Sequence, residues 1–236
     1  MSGGLTAAVI VAGGTGERLG RPGGKQLASV LGKPVLSWTL AAFGDVSEID
    51  LIVVVCHPDR AEEFARIAVD PLALATPVQF ALGGDSRQES VANGLAALPP
   101  GVETVLVHDG ARPLVTPTLI ADSLAAFRAA DAGGLVVGHP AVDTLKVVIG
   151  NTVAETPDRS RFWEVQTPQI FSACVLRAAY AHAAAEGWVG TDDASLVEHG
   201  GGRVVVFQGP RDNIKVTVAE DLFFVEAALK FRDSGE

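Results

Sequence analysis

Short β-branched runs alternate with stretches of helical spacing along most of this chain. Residues 8–11 form an apolar run that ends in a glycine-rich loop, and 49–56, 77–82, 102–107 and 134–138 repeat the apolar part of that pattern. Near-continuous apolar runs of this length are typical of strands buried on both faces of a parallel sheet. Between them, 34–44 has helical apolar spacing, with proline at its start and glycine at its end. A helix is expected from Asp59, with Glu62 three residues on as in a capping box. Further helices are expected over 88–98 and from Thr116-Pro117.

After residue 138 the pattern changes. Residues 144–149 alternate, Gly150-Asn151 has the composition of a two-residue turn, and Thr152-Val153 resumes the strand character. Helices follow around 173–186 and 192–199, then a strand over 203–208. Thr217-Val218-Ala219-Glu220 reads as a capping box ahead of the apolar Leu222-Phe223-Phe224-Val225. The alternation implies right-handed crossovers and an α/β fold: a Rossmann-like, mostly parallel sheet with helices on both faces. We expect one domain over 1–236, with a protruding β-hairpin arm at about 139–160. An arm with apolar residues on its surface calls for a partner, and a second copy of the chain is the simplest.

The loop after the first strand carries glycines at 13, 14, 16, 20 and 23, followed by Gly24-Lys25. Glycines let successive backbone N–H groups approach phosphate oxygens, and Arg18 and Lys25 add full positive charge. A Walker loop fails here, because its first glycine position holds Leu19 and its hydroxyl position holds Gln26. The dinucleotide fingerprint fails at Leu19 too. The second strand then runs into His57-Pro58, where a ribose-binding acid would be needed. In a parallel sheet, ligands bind beyond the carboxyl ends of the strands. The glycine loop, 83–87 and 108–113 all follow strands in that sense and are expected to form one cleft.

Composition narrows the choice of partner. Hydrophobic residues make up 48% and charged residues 19%, as in a soluble globular protein, and the net charge of −10 argues against a nucleic-acid partner. An acidic chain that binds a triphosphate must gather its cations at the site. No apolar run reaches the roughly 18–20 residues of a membrane span, and the N-terminus has no basic signal-peptide region. Cys56 and Cys174 stand far apart without metal spacing, which fits reduced thiols in a cytoplasmic protein. Asp109 and Asp212 each follow a strand, and two such carboxylates can share one Mg²⁺ with phosphate oxygens. Lys215 adds a cation nearby. His108 reads as a packed strand-end residue, Trp163 and Trp188 as core or interface anchors.

The motifs then point to a family. Ala12-Gly13-Gly14-Thr15-Gly16-Glu17-Arg18-Leu19-Gly20 with Lys25-Gln26 resembles the nucleotide loop of sugar and polyol nucleotidyltransferases. Val107-His108-Asp109-Gly110-Ala111-Arg112-Pro113, Asp143-Thr144-Leu145-Lys146, Gln166-Thr167-Pro168-Gln169, Thr191-Asp192-Asp193-Ala194-Ser195 and Asp212-Asn213-Ile214-Lys215-Val216-Thr217 narrow it. Together they resemble the 2-C-methyl-D-erythritol 4-phosphate cytidylyltransferases of non-mevalonate isoprenoid synthesis, over about residues 8–229. Gly110 departs from the commoner alanine, which should loosen its loop. No fused cyclase domain is expected.

The resemblance implies that an alditol phosphate attacks the α-phosphorus of CTP and expels pyrophosphate, with Mg²⁺ as cofactor. It implies catalytic roles for Arg18, Lys25 and Lys215, and Mg²⁺ held by Asp109 and Asp212. Ala12, Gly13, Gly14, Gly16, Gly84, Asp85, Ser90 and Asp109 would hold the nucleotide. Asp109, Arg112, Thr144, Arg159, Thr167, Thr191 and Asp212 would hold methylerythritol phosphate. Arg159 would come from the arm of the other subunit of a homodimer. Thr144 and Thr167 are equally ordinary strand residues. Ribitol 5-phosphate is a rival acceptor, and a nucleotide-binding regulator without catalysis is a rival function.

Overall fold

The computed structural model describes residues 4–14 and 24–234. Arg18 and Gly16 lie outside the described residues, so the structure places neither. The first strand, β1 (Leu5–Val11), leads to a small ribbon of β2 (Ser29–Val30) and β3 (Lys33–Pro34), and then to α1 (Val35–Gly44). There follow β4 (Leu51–Cys56), α2 (Ala61–Phe64), β5 (Val78–Leu82), α3 (Arg87–Ala96), β6 (Val102–Asp109), α4 (Pro117–Ala129) and β7 (Gly134–Pro140). The arm carries β8 (Val147–Ile149) and β9 (Thr152–Glu155). Then come β10 (Trp163–Ser172), α5 (Ala173–Glu186), α6 (Asp193–His199), β11 (Val204–Gln208) and α7 (Asp221–Asp233).

Seven strands form the main sheet in the order β11-β7-β10-β6-β1-β4-β5. All neighbours pair in parallel except β10, which runs antiparallel to both β6 and β7. The two-residue period of the strands splits the core into two layers. Ala8, Ile10, Ile52, Val54 and Leu106 face Leu36, Leu40, Phe43, Ile120 and Leu124 of α1 and α4. Ala7, Val9, Val53, Val55, Val105 and Val107 face Val91, Leu95, Leu176, Tyr180 and Leu196 of α3, α5 and α6. Helices therefore cover both faces, as the alternation predicts. Gly94 lets α3 come close: a Cβ there would stand 2.6 Å from Val9 Cγ1 and 2.9 Å from Val55 Cγ2.

Strand β10 is not foreseen by the sequence pattern, because Gln166, Thr167, Pro168 and Gln169 interrupt any apolar run. Proline is excluded from regular central strands. Here the ladder to β7 shifts register between Val165 and Gln169, so the irregular stretch holding Pro168 lies where regular pairing lapses. Gln166, Thr167 and Gln169 are buried, and their side chains find partners at the Pro210 carbonyl, the end of β6 and the Asp192 carboxylate.

Two predicted helix starts are corrected. Asp59 caps no helix through a box with Glu62. The segment opens as a 3₁₀ turn, Pro58–Arg60, in which His57 Nδ1 accepts from the Asp59 N–H. At α7 the cap comes from Asp221 rather than Glu220. Asp221 Oδ2 accepts from the N–H groups of Thr217 (2.6 Å) and Val218 (2.9 Å) and from the Thr217 hydroxyl (2.8 Å). The carboxylate reaches back across the turn and gathers three donors, which a glutamate at the cap position itself does not do here. The helix start at Thr116-Pro117 and the Gly150-Asn151 turn of the arm form as expected, and α6 opens with a capping box in which Asp192 accepts from the Ser195 N–H. None of the described helices is long and apolar enough to cross a membrane.

Candidate active site

The carboxyl ends of β1, β5 and β6 converge on one edge of the sheet, and a cleft opens there. Its first half, of about 440 Å³, is bounded by the β1 end (Gly13, Gly14), by Lys25, by the loop after β5 (Gly84, Asp85), by Ser90 of α3, and by Asp109 and Lys215. Its second half, of about 180 Å³, is bounded by Arg112, Thr167, Gln169 and Thr191. Arg87, Asp109 and Lys215 line both halves and so form the joint between them.

Asp109 ends β6 and is almost wholly buried. Lys215 Nζ lies 3.1 Å from its Oδ2, Arg112 Nε 3.3 Å from the same oxygen, and Arg87 Nε 3.5 Å from Oδ1. Burial alone would favour the neutral acid, but Lys215, Arg87 and Arg112 outweigh it and hold the carboxyl far below the usual carboxylate range. The Asp109 N–H donates to Thr167 Oγ1 (3.1 Å), which ties β6 to β10 at the joint. Three cations thus converge on one carboxylate at the joint of the cleft, in a chain whose net charge is −10.

Each cation is positioned by distant sequence. Arg112 Nη1 donates to the Asn213 carbonyl (2.7 Å), and burial lowers its pKa from the usual value. The Val216 N–H donates to the Ala111 carbonyl (2.8 Å), so the loop carrying Lys215 is laced to the loop after β6. Arg87, the first residue of α3, also reaches Asp193 Oδ2 (2.7 Å) at the start of α6. Asp193 is fully buried and accepts from the Tyr180 hydroxyl as well. Burial opposes the charge on Arg87, but Asp193 and Asp109 more than restore it. The sequence reading missed Arg87 as a site residue. Its one local signal is its place directly after the glycine loop of β5, and its partner Asp193 is 106 residues away.

On the first side of the cleft, Ser90 Oγ accepts from the Gly84 N–H (3.0 Å) and donates to the Ser86 carbonyl (2.8 Å), fixing the loop after β5. The Ala12 N–H donates to the Val55 carbonyl (2.8 Å), which leaves Gly13 and Gly14 at the cleft wall. A Cβ on Gly13 would stand 3.6 Å from Ser90 Oγ, so the two loops close against each other across the pocket floor. Asp85 is exposed, and its N–H donates to Glu89 Oε2 (2.8 Å).

The structure therefore brings together Gly13, Gly14, Lys25, Gly84, Asp85, Ser90, Asp109, Arg112, Thr167, Thr191 and Lys215, with Ala12 buried just behind the wall. Thr144 and Arg159 lie on the arm and line neither half; the Arg159 guanidinium donates to the Val142 carbonyl. Asp212 departs from its expected place as well. Its Oδ2 pairs with Arg232 Nη2 of α7 at 2.8 Å, and it lines neither half. With Asp212 paired to Arg232 and both Asp109 oxygens facing cations, an ion shared by the two carboxylates would have to displace Arg232 and Lys215 from them. Gly110 does not loosen its loop: a Cβ there would stand 3.0 Å from Leu36 Cδ1 and 3.1 Å from the Val11 carbonyl, so the position is already tightly packed. His108 is fully buried against the Phe43 ring, as read from the sequence, and burial pushes its pKa down to about 3.

A cleft with glycine-lined walls and clustered cations, at the carboxyl edge of a mostly parallel sheet, is suited to a nucleoside triphosphate, and with this fold it defines an enzyme of the nucleotidyltransferase class. The family pattern of 2-C-methyl-D-erythritol 4-phosphate cytidylyltransferase matches residues 6–231, and the chain belongs to that family. It is 42% identical to the enzyme of that name from a Nostoc species, over 96% of this chain and 98% of the relative. Against the one from Synechococcus elongatus it is 44% identical, covering 95% and 96% of the two chains. Among solved structures, it is similar to the enzyme of that name from Thermus thermophilus, with a TM-score of 0.75, 34% identity and 94% and 98% coverage. The 4-diphosphocytidyl-2C-methyl-D-erythritol synthase of Anaerococcus prevotii gives a TM-score of 0.85, with 31% identity and 97% and 100% coverage.

Proposed function

We propose that this chain transfers the cytidylyl group of CTP to 2-C-methyl-D-erythritol 4-phosphate, giving 4-diphosphocytidyl-2-C-methyl-D-erythritol and pyrophosphate in isoprenoid precursor synthesis. The observation that carries this reading is the two-part cleft joined through Asp109, Arg87 and Lys215. CTP would occupy the larger part, with Ala12, Gly13, Gly14, Gly84, Asp85 and Ser90 around the base and ribose. The alditol phosphate would occupy the smaller part, beside Arg112, Thr167 and Thr191. Hydroxyls suit a polyol, and a guanidinium suits its phosphate dianion.

At the joint, an acceptor phosphate oxygen attacks the α-phosphorus as the bond to the β-phosphate oxygen breaks, and pyrophosphate leaves with the electron pair. No proton must move, because the attacking oxygen is already anionic. Catalysis then rests on alignment and charge neutralisation. Lys25 and Lys215, with Arg18 from the glycine loop, are the residues we assign to the charge on the α-phosphate. Asp109 keeps Lys215, Arg87 and Arg112 aimed at the joint. Mg²⁺ would enter on the phosphate oxygens of CTP and keep its own waters.

The chain is read as one domain with an arm, and the arm as a dimer element. Val147, Val148, Ile149 and Val153 are exposed on it, and Thr144 and Arg159 sit outside their own cleft. An arm laid on a second copy would bury these residues and bring Arg159 to the partner's alditol site. Cys56 and Cys174 are both free thiols, in keeping with work in the cytoplasm.

Pyrophosphate release from CTP and Mg²⁺, with methylerythritol 4-phosphate and ribitol 5-phosphate in parallel, tests the proposal. Release with the branched substrate is expected. Release only with ribitol phosphate overturns the substrate, and release with neither overturns catalysis.

A further inference from the structure

Away from the cleft, three metal-ligating side chains meet where α5 joins α6. His182 and Glu186 are one helical turn apart on the same face of α5, and His199 ends α6. Glu186 Oε2 lies 2.7 Å from His199 Nε2 and 3.6 Å from His182 Nε2. One donor atom from each of the three falls within 4.8 Å of the others. A tetrahedral ion with bonds of about 2.0–2.1 Å needs its donors roughly 3.3 Å apart. The two Glu186 separations bracket that spacing and the two imidazole donors lie within 4.8 Å of each other, so rotamer adjustment of these exposed side chains would seat an ion. The His199 ring is held in place by stacking flat on Trp188, at 4.2 Å between centroids and 2° between planes. Fixing a ligand ring beforehand reduces the ordering cost of binding an ion.

We propose that His182, Glu186 and His199 form a site for a divalent transition-metal ion, Zn²⁺ by its donor set, that clasps α5 to α6. Two imidazoles and one carboxylate are the set of an open tetrahedral site, with water in the fourth position. Mg²⁺ prefers oxygen ligands and would not compete. None of the three residues lines either half of the active-site cleft. The clasp still bears on that cleft through α6. That helix has seven residues, about 10 Å of rise, with His199 at one end and the Asp192-Asp193 start at the other. Its start supplies Asp193 to Arg87, and Asp192 accepts from Gln169 Nε2 (2.7 Å). Pinning the far end of α6 would limit its rocking against α5.

The experiment is Zn²⁺ titration calorimetry on the full chain after EDTA treatment, in excess Mg²⁺, with thermal melts of the same samples. One Zn²⁺ per chain and a raised Tm are expected, for the parent protein and for a Cys174→Ser variant. His199→Ala and Glu186→Gln should bind at least about ten-fold more weakly, since loss of even an outer-shell partner costs about 10–100-fold. Their Zn²⁺-dependent Tm rise should be lost. Glu186→Gln is an exposed, same-size change whose fold is checked by its metal-free melt. No binding by the parent protein, binding unchanged in both variants, or binding lost in Cys174→Ser each overturns the site.

Discussion

Lys215 Nζ sits 3.1 Å from Asp109 Oδ2, an ion pair joining a loop late in the chain to the end of a central strand. The lysine belongs to the joint of the cleft and the aspartate keeps it there. Lys215→Ala should lower kcat on the order of 10²–10³, the usual consequence of losing one preorganised donor at a charged transition state. Asp109→Asn should also unsettle the fold. It leaves Arg87, Arg112 and Lys215 crowded without their shared counter-charge, at a cost of about 3 kcal/mol. Urea denaturation of both variants beside pyrophosphate assays separates the two effects. If Asp109→Asn unfolds at the parent midpoint, the keystone role assigned to that carboxylate is wrong.

Arg87 is a positioning residue that couples the nucleotide side of the cleft to α6. Arg87→Met removes the partner of the buried Asp193 and should destabilise by about 3 kcal/mol. Arg87→Lys keeps the charge but cannot span Asp193 and Asp109 with one planar fork, so it should recover stability only in part. A double-mutant cycle with Asp193→Asn should give a coupling on the order of 1–3 kcal/mol. Coupling near zero would show that the two side chains act independently.

His108 makes stability depend on pH over a window whose upper part lies above the range of ordinary carboxylates. Burial holds its folded pKa at about 3, below the roughly 6.5 of a free imidazole. As pH falls through about 6.5 the unfolded chain takes up a proton that the folded chain refuses until about pH 3. Stability should therefore fall with decreasing pH across that window, by up to about 1.4 kcal/mol per pH unit from this group. His108→Leu should remove that part of the slope between pH 6.5 and 5. Equal slopes in both proteins would count against it.

Asp212 is salt-bridged to Arg232, so its loss should not alter the demand for metal. In Asp212→Asn, the Mg²⁺ concentration for half-maximal rate should match the parent, while the hold on α7 weakens slightly. A marked rise in that concentration would restore the two-carboxylate arrangement.

The arm proposal makes a mixing prediction. Arg159→Ala and Lys215→Ala should each be nearly inactive alone. If Arg159 serves the partner's cleft, mixed dimers hold one intact site, and combining the two proteins after dissociation should regain partial activity. Mixtures no more active than their components would place Arg159 in the service of its own chain.

Local patterns in the sequence determined a good deal of this protein. The apolar runs of β1, β4, β5, β6 and β7, the two-residue turn of the arm and the Thr116 and Asp192 caps depend on neighbours within a few positions. The three loops of the cleft were legible for the same reason, because each directly follows a strand of known direction. Tertiary structure decided whatever depends on partners far along the chain. Strand β10 can bury its glutamines and threonine because they are satisfied by Asp109, Asp192 and Pro210, partners that no local window contains. The same is true of acidic side chains. Asp109 and Asp212 look equivalent in sequence, but one is buried among three cations and the other is drawn off by Arg232. A carboxylate's role follows from the charges folded around it, and in this protein those charges are brought together only when the sheet closes.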